Sequence, residues 1–309
     1  METFEYQGRK IHRWQVGAST YLVHPQAGAR LMSWFAEMAD GSIRDIIYWP
    51  EEADLDNIGE VRGGNPILFP FCGRCHAEGE VGQWQDSTNR LLPMPQHGFA
   101  RTSEFEIQDA NEVSLRTKLI PDQVTKESYP YDYEFLVSYF FGELGFQVEL
   151  GLRNQGNLPI PWSPGHHFYF TLPWHDELGR ENYQIHIPAK RALRHLQSGE
   201  FEPEVLEKSK SVYSMEDPSL INRIHTNLTK PECTFGPKNG EEQVAVRFKD
   251  KEAEPVQSAR TIVTWTDGDE PYYCVEPWMG PPNSPAHRNG LQYINPGESS
   301  SFTVEVSLT

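Results

Sequence analysis

Apolar positions recur with a period of two along much of the chain. Phe135, Val137, Tyr139 and Phe141 form one such run, Gly142-Glu143-Leu144-Gly145 reads as a turn, and Phe146, Val148, Leu150 and Leu152 resume the alternation. Successive side chains of a strand point to opposite faces, so this pattern predicts a long hairpin with one buried face. Val113, Leu115, Thr117 and Leu119 repeat it, as do Val244, Val246 and Phe248, and then Phe302, Val304, Val306 and Leu308. Asn239-Gly240, Asp267-Gly268 and Asn289-Gly290 punctuate the runs as turns. No long amphipathic helix is predicted. Residues 50–60 have room for a helical turn, and 200–225 reads as short helix mixed with loop. The expectation is an all-β chain: one large antiparallel β-sandwich over residues 1–309, with the polar stretch from about 176 to 240 rimming one end.

Composition adds limits. The chain has 309 residues, 12% of them aromatic, which supports a strand-built core. Its formal charge of −17 argues against nucleic-acid and anionic-membrane partners, because phosphate surfaces are bound by positive charge. An anionic substrate would need a local arginine cluster working against that background. No signal peptide or membrane-length apolar run is visible, so a soluble, cytoplasmic protein is expected, as monomer or homodimer. Of the four cysteines, Cys72 and Cys75 have CxxC spacing, but no second pair follows to complete a zinc site. All four are expected to be reduced structural thiols.

Four segments break the simple alternation. In Cys274-Val275-Glu276-Pro277-Trp278 a carboxylate follows an apolar run and precedes Pro-Trp and then Gly280-Pro281-Pro282. Glu276 is therefore expected at the end of a strand, in an aromatic setting of Tyr272, Tyr273 and Trp278 that would raise its pKa and suit it to act as a base. Gly63-Gly64-Asn65-Pro66-Ile67-Leu68-Phe69-Pro70 carries Arg62 and Arg74 near its two ends. Gln96-His97-Gly98-Phe99-Ala100-Arg101 offers an imidazole and a guanidinium in one loop. In Gly165-His166-His167-Phe168-Tyr169-Phe170 the adjacent histidines must point to opposite faces of a strand. Only one of them can face a given cavity, which argues against a metal chelate from the pair.

Taken in order, these four segments resemble the aldose 1-epimerase (galactose mutarotase-like) family, and Ala27-Gly28-Ala29-Arg30-Leu31-Met32-Ser33-Trp34 is similar to that family's early strand pair. Arg62-Gly63-Gly64 joined to residues 96–101 looks most like the branch that acts on hexose 6-phosphates. The resemblance implies interconversion of α and β anomers of an aldose, or aldose phosphate, on a large β-sandwich without a cofactor. It implies Glu276 as catalytic base, His167 as catalytic acid and His97 as a further active-site histidine. It also implies substrate binding by Arg62, Gln96 and Arg101. Phe168 stands where the family usually has Pro, and Asn222 or Asp217 would take the place of an acidic sugar-binding residue.

From the residues themselves, Arg74 is a second candidate for the cationic contacts. Trp278, Phe71 and Tyr169 are candidates to pack against a pyranose face. A carboxylate and an imidazolium are a workable base and acid near neutral pH, and side by side each would hold the other charged. Two other readings stand beside this one: a carbohydrate-binding module without catalysis, and a metal-dependent β-sandwich enzyme that uses these His and Glu residues as ligands. A glycosidase is a weaker fit, because only one carboxylate stands in a distinctive segment.

Overall fold

In the computed structural model, residues 1–175, 177–204, 211–240, 242–249 and 259–309 are described. Two antiparallel sheets face each other. The first joins thirteen described strands, and its middle runs in spatial order Ile43–Ile47, Phe168–Thr171, Tyr272–Trp278, Thr261–Trp265, Arg223–Leu228 and Ala189–His195. The second joins nine, centred on Tyr133–Gly142, Gly145–Asn154, Ser299–Leu308 and Val244–Phe248.

The predicted hairpin forms in the predicted register, with Phe135 opposite Leu152 and Gly142 opposite Gly145. Leu115, Thr117 and Leu119 are buried as the alternation requires, whereas Val113 falls outside its strand and is exposed. Aromatic contacts tie the two sheets together: Trp14 and Tyr21 pack on Phe141, Phe168 on Phe146, and Phe170 on Phe235. The inward faces of both sheets thus share one apolar core, the arrangement that period-two patterning dictates.

Helix is scarce among the described residues. Gln123–Ser128 and Ser284–His287 are α-helical, and Leu55–Asn57 supplies the single turn expected within residues 50–60.

The described residues of the stretch from 176 to 240 do more than rim one end of the sandwich, since they supply strands to both sheets. Tyr183–His186, Val212–Ser214 and Glu232–Pro237 extend the second sheet, while Ala189–His195, Phe201–Glu204 and Arg223–Leu228 extend the first. Several of these strands lie at or near sheet edges, where side chains stay wet and alternation is blurred. Residues 176 and 205–210 of that stretch lie outside the described part.

The first sheet also buries residues on its outer face. On Tyr272–Trp278 the odd positions Tyr273 and Val275 join the core between the sheets, whereas Tyr272 and Cys274 cluster with Tyr169, and Trp278 with Leu68, Cys72, Ile224 and Val263. A strand buried on both faces is what lets a sheet carry a core on one side and a site on the other.

Candidate active site

A cavity of about 640 Å³ opens on that outer face, within the usual range for small-molecule sites. Glu276 lies in its wall, in the body of the strand and not at its end. The strand continues through Pro277 to Trp278, because the neighbouring ladder lapses there. Phe168 pairs with Val275 and Gly165 with Trp278, while the strand holding the histidines is interrupted between them. Pro277 lacks an N–H and is tolerated at such a gap.

The same register sets His167 directly opposite Glu276, so both side chains project to one face. Nε2 of His167 lies 3.4 Å from Oε2 of Glu276. Val263 pairs with Glu276 on the other side, and Ile224 with Val263, which completes a row across four strands lining one cavity. His166 points the other way, stacked on Phe168 and Phe302 in the core, with Nδ1 3.2 Å from the Asn65 amide. Of the two histidines, one faces the cavity, as strand geometry demands.

Burial reverses the expected charges of the pair. Removal from water lowers the His167 pKa to about 3, with the nearby Arg101 cation acting in the same direction, and it lifts Glu276 well above the usual carboxylate range. The unliganded pocket therefore favours carboxylic acid beside neutral imidazole over an ion pair. His167 Nδ1 is buried with no hydrogen-bond partner among the described residues, and the Trp278 indole lies near enough to the Glu276 carboxylate to oppose part of its rise, both groups being otherwise unmatched. Such atoms are costly to leave unmatched, and here they border one cavity.

His97 joins them, its ring 5.4 Å from that of His167 and 5.7 Å from Trp278. Its Nδ1 accepts the Gly73 N–H, which puts the proton of the neutral ring on Nε2, 3.2 Å from the Gln96 amide. Burial, reinforced by His167, Arg101 and Arg74, holds His97 neutral. The loop that carries it depends on Gly98, at φ +73°, where a Cβ would stand 1.9 Å from the Phe69 carbonyl oxygen.

Three guanidinium groups, those of Arg62, Arg74 and Arg101, line the same cavity and form the local cationic cluster that an anionic ligand would need in so acidic a chain. They are not equivalent. Arg62 is ion-paired to Asp267 and lies over the Trp265 ring at 5.5 Å. Arg74 leans on Gln96, its Nε 3.4 Å from Oε1. Arg101 makes no ion pair among the described residues. Asn222, in the left-handed region at φ 56°, also borders the cavity. Asp217 does not: it lines a separate hollow and accepts the Ser219 N–H at the start of a short helical turn.

A model of the family described as aldose 1-epimerase matches residues 11–307. The chain belongs to the aldose 1-epimerase family. Among its relatives is protein LacX of Lactococcus lactis subsp. lactis, 24% identical over 233 residues that make up 71% of this chain and 74% of LacX. Slr1438 of Synechocystis sp. PCC 6803 has a similar structure at 24% identity, with a TM-score of 0.77 over 100% of this chain and 99% of that one. A galactose mutarotase-like protein of Clostridium acetobutylicum superposes with a TM-score of 0.79 at 16% identity, over 100% and 98% of the two chains. At these identities the structural likeness establishes the fold. Membership of the family makes this protein an isomerase-type sugar epimerase.

Parts of the cavity wall were not foreseen. Trp265 and Glu60 line it, and Arg30 supports it from behind. Phe71 and Tyr273, by contrast, are core residues, Phe71 against Trp84 and Tyr273 on the inward side of its strand. All four cysteines are free and buried, with Cys72 close enough to Glu276 to sense its charge. Among the described residues no group of three or more His, Cys, Asp or Glu side chains is placed to hold a metal ion, and no helix is long and apolar enough to cross a membrane.

Proposed function

We propose that the protein interconverts the α and β anomers of an aldohexose by acid–base opening and reclosure of the pyranose ring. Glu276 takes the proton of the anomeric hydroxyl, and His167 delivers a proton to the ring oxygen. The O1–H electrons become the second bond of the C1 carbonyl, and the C1–O5 bond breaks with its pair going to O5. Rotation about C1–C2 and reversal of both transfers on the other face of the carbonyl give the other anomer. No proton is gained or lost overall. The Nε2–H of His97 donates to the oxygens near C1, and Trp278 and Tyr169 present ring faces to the sugar.

Glu276 and His167 hold one proton between them at every stage. Before ring opening it rests on His167, with Glu276 ionised; afterwards it rests on Glu276, with His167 neutral. Burial favours the second arrangement, the one that accompanies the open-chain aldehyde. Because the unliganded pocket also holds that arrangement, binding of the pyranose has to move the proton from Glu276 to His167 before the ring can open.

The observation that carries this reading is the direct opposition of His167 and Glu276 at 3.4 Å in the wall of a sugar-sized cavity. Polarimetry on freshly dissolved α-glucose and α-galactose tests it. Purified protein should speed the approach to anomeric equilibrium well beyond the buffer-catalysed rate, and no acceleration with any aldohexose would refute it.

A second reading, an aldohexose 6-phosphate as the preferred substrate, is favoured by Arg101. Its guanidinium lines the cavity without an ion-paired carboxylate among the described residues, and that planar fork suits a phosphate. A kcat/KM for glucose 6-phosphate well above that for glucose, lost in Arg101→Ala, would select this reading.

A further inference from the structure

Asp217 lines a hollow of about 420 Å³ that shares no lining residue with the acid–base cavity. Tyr273 lines it too, standing on the same strand as Glu276 but turned to the opposite face. Its ring is packed in the core and only 1% exposed, yet its hydroxyl has no hydrogen-bond partner among the described residues. Leaving a buried hydroxyl unmatched is costly, and few are left so in a folded protein. This one reaches the hollow, where the charges of Arg180 and Asp217 are both near enough to act on it.

The rest of the wall is of two kinds. Leu172, Met215, Pro218 and Ile221 are apolar, whereas Glu181, Glu216, Asp217 and Asp269 bring four carboxylates. Arg180 is the single cation of that wall among the described residues, and its guanidinium already donates to the carbonyl oxygens of Gly268, Glu270 and Tyr272. Four carboxylates against one guanidinium leave an excess of negative charge, in a chain whose overall charge is −17. A cation is therefore drawn to this hollow from a distance as well as at contact.

A bare metal ion does not suit these donors. Among the described residues no three His, Cys, Asp or Glu side chains gather closely enough to hold one. The carboxylates come from three separate stretches of chain, and those of Glu181, Glu216 and Asp269 are exposed. Carboxylates that do not converge on one point suit a ligand that carries its positive charges apart. Ammonium groups joined by a methylene chain meet each condition. The chain covers the apolar wall, the ammonium groups pair with carboxylates, and an N–H is available to the Tyr273 hydroxyl oxygen. We propose that this hollow binds an aliphatic diamine or polyamine, independently of the sugar in the acid–base cavity.

Isothermal titration calorimetry at low ionic strength tests this with cadaverine, set against pentanol and pentanoate. Cadaverine should bind one per chain with a Kd at or below about 1 mM, and the other two more than about tenfold more weakly. Tyr273→Phe should weaken cadaverine about fivefold, the worth of one hydrogen bond, and should leave the fold intact because that hydroxyl is unpartnered among the described residues. Asp217→Asn, which keeps the acceptor for the Ser219 N–H, should weaken it about two- to fivefold. Glu276→Gln, and Glu112→Gln at an exposed acid outside the hollow, should leave it unchanged. No heat and no rise in melting temperature with cadaverine at about 10 mM would overturn the proposal. So would full-strength binding in Tyr273→Phe, or pentanol or pentanoate binding as well as cadaverine. Equal losses in Asp217→Asn and Glu112→Gln would reduce the effect to diffuse attraction by an acidic surface, and a loss in Glu276→Gln would move the amine to the acid–base cavity. Either result refutes the site.

Discussion

His167, in the gap between two short strand segments, stands opposite Glu276 on the neighbouring strand, with 3.4 Å between Nε2 and Oε2, although their positions differ by more than a hundred in the sequence. Their relation is fixed by the ladder pairs on either side of the gap, Phe168 with Val275 and Gly165 with Trp278, and by the His167 N–H donated to the Pro66 carbonyl. Glu276→Gln and His167→Ala should each lower kcat by about 10²–10⁴-fold, the usual contribution of a positioned acid or base. Polarimetry on glucose measures the loss, and circular dichroism verifies that the sheets persist. Near wild-type kcat in either variant would remove that residue from the mechanism.

The same burial predicts a stability gain from losing the carboxylate. A group whose pKa is raised on folding favours the folded state below its unfolded pKa and loses that contribution as pH rises. At pH 8 the unfolded chain gains by ionising Glu276 and the folded chain resists it. Glu276→Gln is neutral throughout, so its melting temperature should equal or exceed that of wild type at pH 8, by a margin that shrinks towards pH 5. Thermal melts at both values suffice. A variant clearly less stable than wild type at pH 8 would mean that the carboxylate supports the fold.

Much of the architecture was legible because a strand advertises itself by alternation, as in the hairpin built from Tyr133–Gly142 and Gly145–Asn154. Glu276, His167 and His97 stood out because each interrupts that alternation with glycine, proline or a second histidine. Arg30 did not, since a buried arginine among apolar residues reads the same as a surface one. Trp265 was equally hidden: its presence in the cavity follows from pairing with Cys274, which only the register of the sheet reveals. The rise in the Glu276 pKa was legible from its aromatic flanks, whereas the mutual charging expected of Glu276 and His167 is not what burial favours. Proximity is visible once the segments are matched, but whether attraction or desolvation dominates depends on how deeply the pair is enclosed.

Acid should destabilise the protein early. His166, His167 and His225 are buried with pKa values pushed down to about 3 by loss of water, and His24 and His195 to about 4. A depressed histidine contributes stability above the unfolded value near 6.5 and loses it as pH falls towards the folded value. Asp45, raised to about 7 by burial, and Glu276 act in the opposite sense. The histidines outnumber them, and each net proton is worth about 1.4 kcal/mol per pH unit. The melting temperature should therefore fall steadily from pH 6.5 to 4.5. A flat profile over that range would show that these imidazoles reach water in the folded state.

Gly98→Ala probes how the His97 loop is held. Its backbone is left-handed, and the added methyl would meet the Phe69 carbonyl oxygen at 1.9 Å. Relief requires moving the loop and, with it, the Nδ1 contact to Gly73. The expected result is a loss of about 2 kcal/mol or more in denaturant unfolding together with a fall in kcat. Unchanged unfolding would mean that the loop shifts freely.

Arg30 is fully buried and donates to the carbonyl oxygens of Gly63 at 2.9 Å and Ile58 at 3.1 Å, with no carboxylate to balance it among the described residues. Burial lowers its pKa to about 10, which leaves it charged at neutral pH. The loop it grips supplies Gly59, Glu60, Val61 and Arg62 to the cavity wall. A lysine keeps the charge but cannot span two carbonyls with a planar fork, so Arg30→Lys should destabilise by about 2–3 kcal/mol and raise KM more than it lowers kcat. Arg30→Met separates two contributions. It removes the unbalanced charge, which favours the variant, and leaves two carbonyls unpaired, which disfavours it. The clamp predicts that the second effect wins, with Met melting below wild type and KM rising as in the lysine variant. If Met melted above wild type with an unchanged KM, Arg30 would be a buried charge the fold merely tolerates.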